Sequence, residues 1–390
     1  MISTAEALAH LFDLVEVLPV ERVSLRHASG RVLAEDVFAT RDQPPFAASA
    51  MDGYAAHAED TTSGAILQVI GEAAAGHGFA GTLKRGEALR IFTGAPLPAG
   101  ATRVVIQEDV TREGESITLG DTLDSAHYVR PAGADFRNGD MIAAPRCLGP
   151  ADIALLAAMN IAPVPVTRKP IVAIIATGDE LVQPGEVPAP DQIIASNSYG
   201  LEALLRAHGA EVRLLPIARD THASLALAFD LAADADLIIT IGGASVGDHD
   251  LVGAVAAAKG MSRAFYKVAM RPGKPLMAGR IGRAAMIGLP GNPVSAMVCG
   301  HIFVVPVLRK MLGLGAAAAP RETVRLTHPI GTNGPREHYM RARVDHGDLT
   351  IFDRQDSALL TVLAQANCLA IRPPLEGARL PDDRMEIIRL

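Results

Sequence analysis

The chain has 390 residues, of which 49% are hydrophobic and 20% are charged, and its formal net charge is −7. This length exceeds what one ordinary hydrophobic core holds, so we expect two to four domains. The small negative charge argues against the broad basic surface of a nucleic-acid-binding protein, and the apolar content argues against a solvating acidic chain. A large anionic partner would therefore need a local basic site.

The N-terminal segment and the cysteines predict a cytoplasmic protein. The first residues lack the basic start of a signal peptide and carry Glu6, Asp13 and Glu16. The most apolar run, residues 153–166, is interrupted by one asparagine and two prolines, so we expect no membrane association. Three widely spaced cysteines disfavour both a disulfide framework and a cysteine-based zinc site, and we expect buried thiols.

The first third of the chain predicts one helix followed by short strands. Residues 3–18 have leucines and a valine at helical spacing behind a capping box of Ser3 and Glu6. From about residue 23 to 145, short β-branched runs alternate with glycine and proline, which predicts a β-rich region. Within it, the stretch PPFAASAMDGYA has an extended entry and a glycine turn, so Asp52 is expected on a shaped loop.

Strand and helix patterns alternate from residue 169 to 318. Strand Ile171–Ala176 precedes helices predicted near residues 198–208 and 221–232, with further strands between and after them. The motif GLPGNP supplies an asparagine cap and a first-turn proline for the last helix. This order predicts a parallel, helix-flanked α/β sheet.

The last segment alternates apolar and polar residues in short runs, which predicts a small antiparallel β-barrel or sandwich. The predicted fold class is therefore multidomain α/β plus β. The predicted parts are an N-terminal region at 1–168 with a β-rich insertion around 46–140, an α/β domain at 169–318, and a C-terminal β domain at 319–390.

Acidic residues follow three strands of the predicted parallel sheet. They are Glu180, Asp220 and Asp250, and Asp179 and Asp248 stand beside two of them. Because the carboxyl ends of parallel strands share one edge, these side chains are expected to lie together where such folds bind ligands. Close carboxylates repel one another unless a divalent cation, a basic partner or a proton relieves the repulsion, and all-oxygen ligation favours Mg²⁺. The alternative is that each acid only caps a helix N-terminus.

Two further segments of the chain have residues that suit the binding of an anion. The turn GGASVG offers backbone N–H groups to an oxyanion or phosphate, although it matches no P-loop or dinucleotide motif and a plain turn is equally consistent. Lys267, Arg271 and Lys274 surround a Pro-Gly turn and suit phosphate or oxyanion capture, with a solvated basic face as the alternative. The sequence lacks G-x-S-x-G and H-E-x-x-H, so any chemistry should rest on positioning and electrostatics at a metal–anion site.

Eight motifs in chain order resemble those of the MoeA family, the molybdopterin molybdenumtransferases, which are related to the E domain of gephyrin. They are PPFAASAMDGYA, RIFTGAPLPAGA, VVIQED, ATGDEL, SNSYGLEALL, GGASVGDHD, RPGKPL and GLPGNPVSA. The resemblance implies the final step of molybdenum cofactor assembly. In that step molybdate is inserted into molybdopterin adenylate, both as substrates, and AMP is released with Mg²⁺ as cofactor.

The resemblance also implies site residues, position by position. The implied catalytic residues are Asp52, Thr93, Glu180, Asp220 and Asp250. The implied substrate- and oxyanion-binding residues are Asp135, Gly242, Gly243, Ser245, Gly247, Lys267, Arg271, Lys274, Pro290, Pro293 and Ser357. Mg²⁺ is assigned to Glu180, Asp220 and Asp250. The chain departs from the family pattern at Ala195, Ala244 and Arg271, where an acid, a valine and a lysine are common.

The family implies a homodimer in which the N-terminal part of one subunit completes the cleft beside the partner's α/β domain. Asp52 would then face the partner's cleft. The expected protein partners are the enzyme that makes molybdopterin adenylate and the molybdoenzymes that accept the product. Two alternatives are molybdopterin adenylyltransferase, whose enzymes typically carry a Gly-Gly-Thr-Gly loop and lack flanking domains, and a dimeric non-catalytic scaffold of the gephyrin type.

Overall fold

The computed structural model describes residues 1–243 and 251–390, and the chain divides into two compact units. Unit 1 comprises Met1–Glu21, Gly30–Ala34 and Val166–Leu390. Unit 2 comprises Arg22–Ser29 and Glu35–Pro165. Three predicted site residues, Ser245, Gly247 and Asp250, lie outside the described residues. The three-domain division with boundaries at 168 and 318 stays a prediction.

Of the eight α-helices in the described residues, α2 belongs to unit 2 and the other seven belong to unit 1. In chain order they are α1 Thr4–Asp13, α2 Pro150–Ala158, α3 Ser196–Ala207, α4 His222–Leu231, α5 Leu251–Ala258, α6 Pro293–Cys299, α7 Val305–Met311 and α8 Leu360–Gln365. A π-helical turn, Gly300–Val304, joins α6 to α7.

The strands fall into three groups along the chain. The first group is β1 Val20–Val23, β2 Val32–Leu33, β3 Val37–Phe38, β4 Ala48–Ser49, β5 Gly53–Ala56, β6 Ile66–Ala73, β7 Glu87–Ile91, β8 Arg103–Ile106, β9 Val110–Glu113, β10 Ser116–Leu119, β11 Val129–Arg130, β12 Met141–Ile142, β13 Arg146–Cys147 and β14 Val164–Thr167. The second group is β15 Ile171–Ala176, β16 Leu181–Val182, β17 Ile193–Ile194, β18 Glu211–Leu214, β19 Leu237–Ile241, β20 Ser262–Tyr266, β21 Met270–Arg271, β22 Met277–Ile281 and β23 Ala284–Leu289. The third group is β24 Glu322–Leu326, β25 Glu337–Asp345, β26 Asp348–Ile351, β27 Cys368–Arg372 and β28 Arg384–Arg389.

Helix α1 begins at the predicted capping box. The backbone N–H of Glu6 donates to Ser3 Oγ at 3.1 Å, and the backbone N–H of Ser3 donates to the Glu6 carboxylate at 2.7 Å. Leu8 and Leu11 are buried and join the main core of unit 1. The helix ends at Asp13, before the predicted end at residue 18. The capping prediction is therefore confirmed, and the predicted length was too great.

The central sheet of unit 1 has the strand order β18-β15-β19-β23-β22-β20. The first four strands are parallel, as predicted. Along β15, Val172 and Ile174 enter one apolar core while Ala173 and Ile175 enter another, so helices cover both faces. The last two pairings, β23–β22 and β22–β20, are antiparallel, so the predicted parallel arrangement does not hold there. Only residues 282–283 separate β22 from β23, and a turn this short reverses the chain.

The C-terminal strands form a closed five-stranded barrel. Its order is β25-β26-β24-β28-β27, and β27 pairs back onto β25. The β24–β26 pair is parallel, so the predicted antiparallel arrangement does not hold there. Val324, Ala342 and Met385 help fill the barrel interior, whereas Tyr339 and Leu369 pack into the main core of unit 1. One face of the barrel is thereby buried against the α/β part.

Unit 2 contains a six-stranded sheet with the order β8-β5-β7-β6-β10-β9. Strand β5 lies between β7 and β8 and begins directly after Asp52. A β-carbon on Gly53 would stand 2.0 Å from the carbonyl oxygen of Val105, so only glycine lets β5 and β8 approach this closely. The glycine that follows Asp52 therefore sets the position of its loop.

Two expectations about burial have different outcomes. Cys299 and Cys368 are buried, as predicted, but Cys147 is exposed because the short strand β13 has both residues at the surface. Within residues 1–243 and 251–390, the helical stretch Pro293–Met311 is long and apolar enough to cross a membrane. Its apolar window is 78% buried inside the structure, as in a core helix.

Candidate active site

A pocket of about 630 Å³ opens in unit 1 where parallel strands end. Three loops line it, one after each of β15, β19 and β23, together with the N-terminus of α3 and Asp220. Its wall includes the following predicted site residues: Glu180, Asp220, Gly242, Gly243, Pro290 and Pro293. The predicted clustering at this edge of the sheet is therefore found for these six residues.

Three carboxylates meet at the first of these loops. The backbone N–H of Asp220 donates to Asp179 Oδ1 at 3.2 Å. Burial, followed by the negative charges of Asp179 and Glu180, raises the pKa of Asp220 above its ordinary value. Arg219 donates to the carbonyl oxygens of Asp179 and Leu181 at 2.9 and 3.3 Å, so it holds the backbone of the loop and not its carboxylates.

The carboxylates fit a hard divalent cation. Glu180 and Asp220 both line the pocket and supply oxygen ligands, which Mg²⁺ prefers. In the described part of the chain, no group of three or more His, Cys, Asp or Glu side chains forms a ready metal site. Because Asp250 lies outside that part, the assignment of Mg²⁺ to these acids stays a prediction.

Glycine is required where the second loop passes the first. Gly242 has a φ of +92°, and a β-carbon there would stand 2.8 Å from the carbonyl oxygen of Thr177. The backbone of this turn therefore packs directly on the Thr-Gly turn that leads to Glu180. An alanine at position 242 would push apart the loops that follow β15 and β19.

The third loop joins the pocket to the start of helix α6. Pro290 and Pro293 line the pocket, and Pro293 is the first residue of the helix, as predicted. The Asn292 side chain does not cap the helix. Instead, the carbonyl oxygen of Ser357 accepts a hydrogen bond from the Val294 N–H at 3.0 Å, which places Ser357 beside this corner of the pocket.

The predicted basic trio is spread along its segment. Lys267 has a φ of +70°, and its Nζ lies 4.9 Å from the centre of the Tyr266 ring. Arg271 belongs to β21, which pairs with β25 of the barrel. Lys274 is exposed, and the next residue, Pro275, is the member of this segment that lines the pocket.

Sequence reasoning missed a buried arginine near Ser357. Arg341 is 0% exposed, and its Nη2 donates to the carbonyl oxygen of Asp356 at 3.0 Å. Its Nε and Nη1 atoms have no hydrogen-bond partner among the residues that the structure describes. Burial and the positive charge of Arg271 lower the pKa of Arg341 to about 10. Burying a cation with two unbonded N–H donors costs free energy, and an oxyanion that accepts from both donors would offset that cost.

His338 stands beside this arginine cluster. It is 6% exposed, its Nε2 has no partner among the described residues, and it pairs in register with Arg271. Burial, together with the charges of Arg271 and Arg341 and of two further arginines, lowers the pKa of His338 to about 4. The imidazole is therefore neutral near pH 7 and adds a hydrogen-bonding group to the four arginines, not a fifth positive charge.

Unit 2 brings two predicted catalytic residues together. The Asp52 carboxylate accepts hydrogen bonds from the backbone N–H and the hydroxyl of Thr93 at 2.7 and 2.8 Å. These bonds, and the charge of Arg90, lower the pKa of Asp52. The Arg90 guanidinium lies over the rings of Tyr54 and Phe92, at 5.2 and 4.6 Å from their centres. Asp52 is thus a fixed and ionised carboxylate.

Asp135 is the other predicted site residue of unit 2, and the hydrogen bonds to the Asp52 carboxylate come from Thr93. Asp135 lines a pocket of about 620 Å³ that is formed by unit 2 alone.

Three family models cover most of the chain. The MoeA N-terminal region (domain I and II) matches residues 2–160. A probable molybdopterin binding domain matches residues 173–310. The MoeA C-terminal region (domain IV) matches residues 323–379.

Relatives from several bacteria match over nearly the whole length. The molybdopterin molybdenumtransferase of Nostoc sp. is 38% identical over 93% of this chain and 88% of its own. Molybdopterin molybdenumtransferase 2 of Mycobacterium tuberculosis is 36% identical, over 94% and 92%. The crystal structure of a molybdopterin biosynthesis MoeA protein from Pyrococcus horikoshii has a TM-score of 0.85 at 30% identity, covering 100% of this chain and 99% of that one. The chain belongs to the MoeA family.

Proposed function

We propose that this chain is a molybdopterin molybdenumtransferase that inserts molybdate into molybdopterin adenylate and releases AMP in a Mg²⁺-dependent reaction. Its relatives carry the name of this enzyme, which supports the transfer of molybdenum to molybdopterin. The observation that carries the proposal is the pocket of unit 1. It combines Glu180 and Asp220 with a glycine-lined wall at the ends of parallel strands.

The substrates explain why acids and cations occur in the same unit. Molybdate is a tetrahedral dianion, and Arg341 and the nearby Arg271 are proposed to bind its oxygens. The Nε and Nη1 donors of Arg341 have no protein partner within residues 1–243 and 251–390. The phosphoanhydride of the adenylate is proposed to lie against the backbone of Gly242 and Gly243. Glu180 and Asp220 would hold Mg²⁺, which supplies charge neutralisation at the phosphate.

The carboxylate of Asp52 is proposed to complete this site across a homodimer. Its hydrogen bonds from Thr93 keep it ionised and fixed in one direction, which suits a group that acts on a bound substrate. The assignment to the partner's pocket follows the family resemblance. We further propose a cytoplasmic enzyme that receives its substrate from the adenylate-producing enzyme and delivers its product to molybdoenzymes.

The experiment is molybdate-dependent AMP release by the purified chain. Protein, molybdopterin adenylate and Mg²⁺ are incubated with and without molybdate, and AMP is quantified by chromatography. We expect release that requires molybdate and that falls by about a hundredfold or more in Glu180→Gln. The control is Glu186→Gln, in a neighbouring exposed loop, where glutamine keeps an acceptor for the Gln183 N–H.

Three other results would contradict the proposal. AMP release that is the same with and without molybdate would indicate simple hydrolysis of molybdopterin adenylate. Consumption of ATP with formation of the adenylate would indicate the adenylyltransferase instead. Absence of any turnover, with both variants folded, would favour the non-catalytic scaffold.

A further inference from the structure

The loop between β26 and α8 holds a glutamine, Gln355, whose side chain bonds to the backbone of β25. Its Oε1 accepts from the N–H of Arg341, and its Nε2 donates to the carbonyl oxygen of Arg341, both at 2.9 Å. Nε2 also donates to the carbonyl oxygen of Phe352 at 2.7 Å. Both N–H groups of the amide are therefore used, and the three bonds fix its orientation.

Gln355 completes the hydrogen bonding of β25 where strand pairing stops. Strand β26 ends at Ile351, opposite Ala342, so Arg341 has no residue of β26 opposite it. The N–H of Phe352 still donates to the carbonyl oxygen of Arg341 at 3.1 Å. The amide of Gln355 supplies the acceptor for the N–H of Arg341, as the backbone of a neighbouring strand would. The N–H of Arg341 is therefore held by a side chain and not by a strand.

The same loop also holds the side chain of Arg341. The residue after Gln355 is Asp356, whose carbonyl oxygen accepts from Arg341 Nη2 at 3.0 Å. Arg341 is thus bound at its backbone by Gln355 and at its guanidinium by the next residue. Because the guanidinium is planar, these two attachments limit the directions in which Nε and Nη1 point. Those two donors are the ones that have no hydrogen-bond partner among the described residues.

The loop continues into the wall of the unit 1 pocket. The carbonyl oxygen of Ser357 accepts from the Val294 N–H, at the start of α6, at 3.0 Å. The N–H of Ala358 donates to the Asp356 carboxylate at 2.8 Å, and Ala358 lines the pocket. The loop therefore links β25, through Gln355, to the pocket wall, and all of these residues belong to unit 1.

We propose that Gln355 is a positioning residue for molybdate. It holds Arg341 so that Nε and Nη1 face the bound oxyanion, and its own amide has no N–H left for the anion. The proposal rests on the proposed function, which places molybdate at Arg341. The effect of Gln355 on molybdate then passes through Arg341. A glutamine that only keeps the loop folded would instead affect every ligand of the pocket, since Ala358 lines it.

The first experiment is AMP release by Gln355→Met, which keeps the length of the side chain and removes the amide. We expect the KM for molybdate to rise about fivefold, with kcat and the KM for molybdopterin adenylate within about twofold of the wild type. The adenylate is proposed to bind at Gly242 and Gly243, so its KM reports on the pocket without Arg341. The matched control is Gln365→Met, at an exposed position of α8, and it should behave like the wild type.

The second experiment combines Gln355→Met with Arg341→Met. Because Gln355 acts through Arg341, the double variant should have the same KM for molybdate as Arg341→Met alone. A further rise of about fivefold in the double variant, or an unchanged KM in Gln355→Met, would overturn the proposal. Equal rises in the KM values for molybdate and for the adenylate would also overturn it, because they indicate a purely structural role.

Thermal unfolding is measured for each variant in parallel. Gln355→Glu keeps the acceptor for the Arg341 N–H and removes both donors, so it should also raise the KM for molybdate. If neither Gln355→Met nor Gln355→Glu folds, Gln355 belongs to the fold and the proposal is rejected.

Calorimetric titration with molybdate alone separates this proposal from the proposed function. Molybdate binding that weakens in Gln355→Met, without AMP release by the wild type, would keep the role of Gln355 and reject the insertase. An active enzyme with an unchanged KM for molybdate in Gln355→Met would do the reverse. A wild-type protein that neither binds molybdate nor releases AMP would overturn both.

Discussion

Arg341 carries the clearest prediction at the scale of single residues. Its Nε and Nη1 are buried and have no hydrogen-bond partner in the part of the chain that the structure describes, so bound molybdate would accept from both donors. We expect Arg341→Met to raise the KM for molybdate by about tenfold or more. We also expect the variant to stay folded, because replacing an unpaired buried charge by an apolar side chain removes a desolvation cost.

The measurement is AMP release at varied molybdate, together with thermal unfolding. The control is Arg343→Met, which removes an exposed arginine from the same strand. A folded Arg341→Met protein with an unchanged KM for molybdate would contradict this role of Arg341.

Thr93 gives a prediction about pH. Its two hydrogen bonds lower the pKa of Asp52, so Asp52 stays ionised at a pH where an ordinary aspartate is partly protonated. Thr93→Val keeps the backbone N–H and removes the hydroxyl, which raises the pKa of Asp52. The acid limb of the pH profile for AMP release should therefore move to higher pH.

The lowered pKa of Asp52 also makes the stability of the fold depend on pH. A carboxylate whose pKa is lowered on folding stabilises the fold above its unfolded pKa, near 4, and this contribution is lost as the pH falls through the folded pKa.

Thr111→Val, at an exposed strand position of unit 2, is the control for the pH profile of Thr93→Val. An acid limb that is the same in Thr93→Val and in the wild type would show that Asp52 does not set it.

Strand β5 makes a prediction at the scale of elements. Gly53 places the strand between β7 and β8, and any β-carbon there would overlap the carbonyl of Val105. We expect Gly53→Ala to destabilise unit 2 by about 2 kcal/mol or more, because backbone has to move. Gly334→Ala, where a β-carbon meets open space, should unfold like the wild type. Equal urea midpoints for the two variants would refute the steric argument.

How well the sequence predicted each element depended on how local its signal was. The capping box of Ser3 and Glu6 is a local pattern, and α1 begins there. Strand Ile171–Ala176 has the predicted bounds because a fully apolar run between polar loops suits a buried parallel strand. The parallel β24–β26 pair was missed because pairing in a barrel depends on contacts distant in sequence.

The site residues also divide into those that a local sequence pattern predicts and those that depend on contacts distant in sequence. Glu180 and Asp220 follow strands whose order could be predicted, so their convergence on one pocket could be predicted too. Arg341 lies in the alternating run YMRARVD, where an arginine is ordinarily on the solvent face. It is buried because that face of the barrel packs on the α/β part, a tertiary contact that the alternation of one strand cannot reveal.

At the scale of the whole molecule, the proposed catalytic residues belong to both units. Glu180 and Asp220 line the pocket of unit 1, whereas Asp52 and Thr93 belong to unit 2. In the proposed homodimer, each site takes Asp52 from one protomer and Glu180 from its partner. A twofold dimer then contains two equivalent sites of mixed origin.

Subunit complementation tests this claim most directly. Asp52→Asn and Glu180→Gln chains with different tags are co-expressed, the heterodimer is purified over both tags, and molybdate-dependent AMP release is measured. Both mutant homodimers should be inactive. The heterodimer should regain about half of the wild-type activity, because one of its two sites is intact and the other carries both substitutions. A heterodimer as inactive as the two homodimers, or a chain that remains monomeric under the assay conditions, would contradict a site shared between protomers.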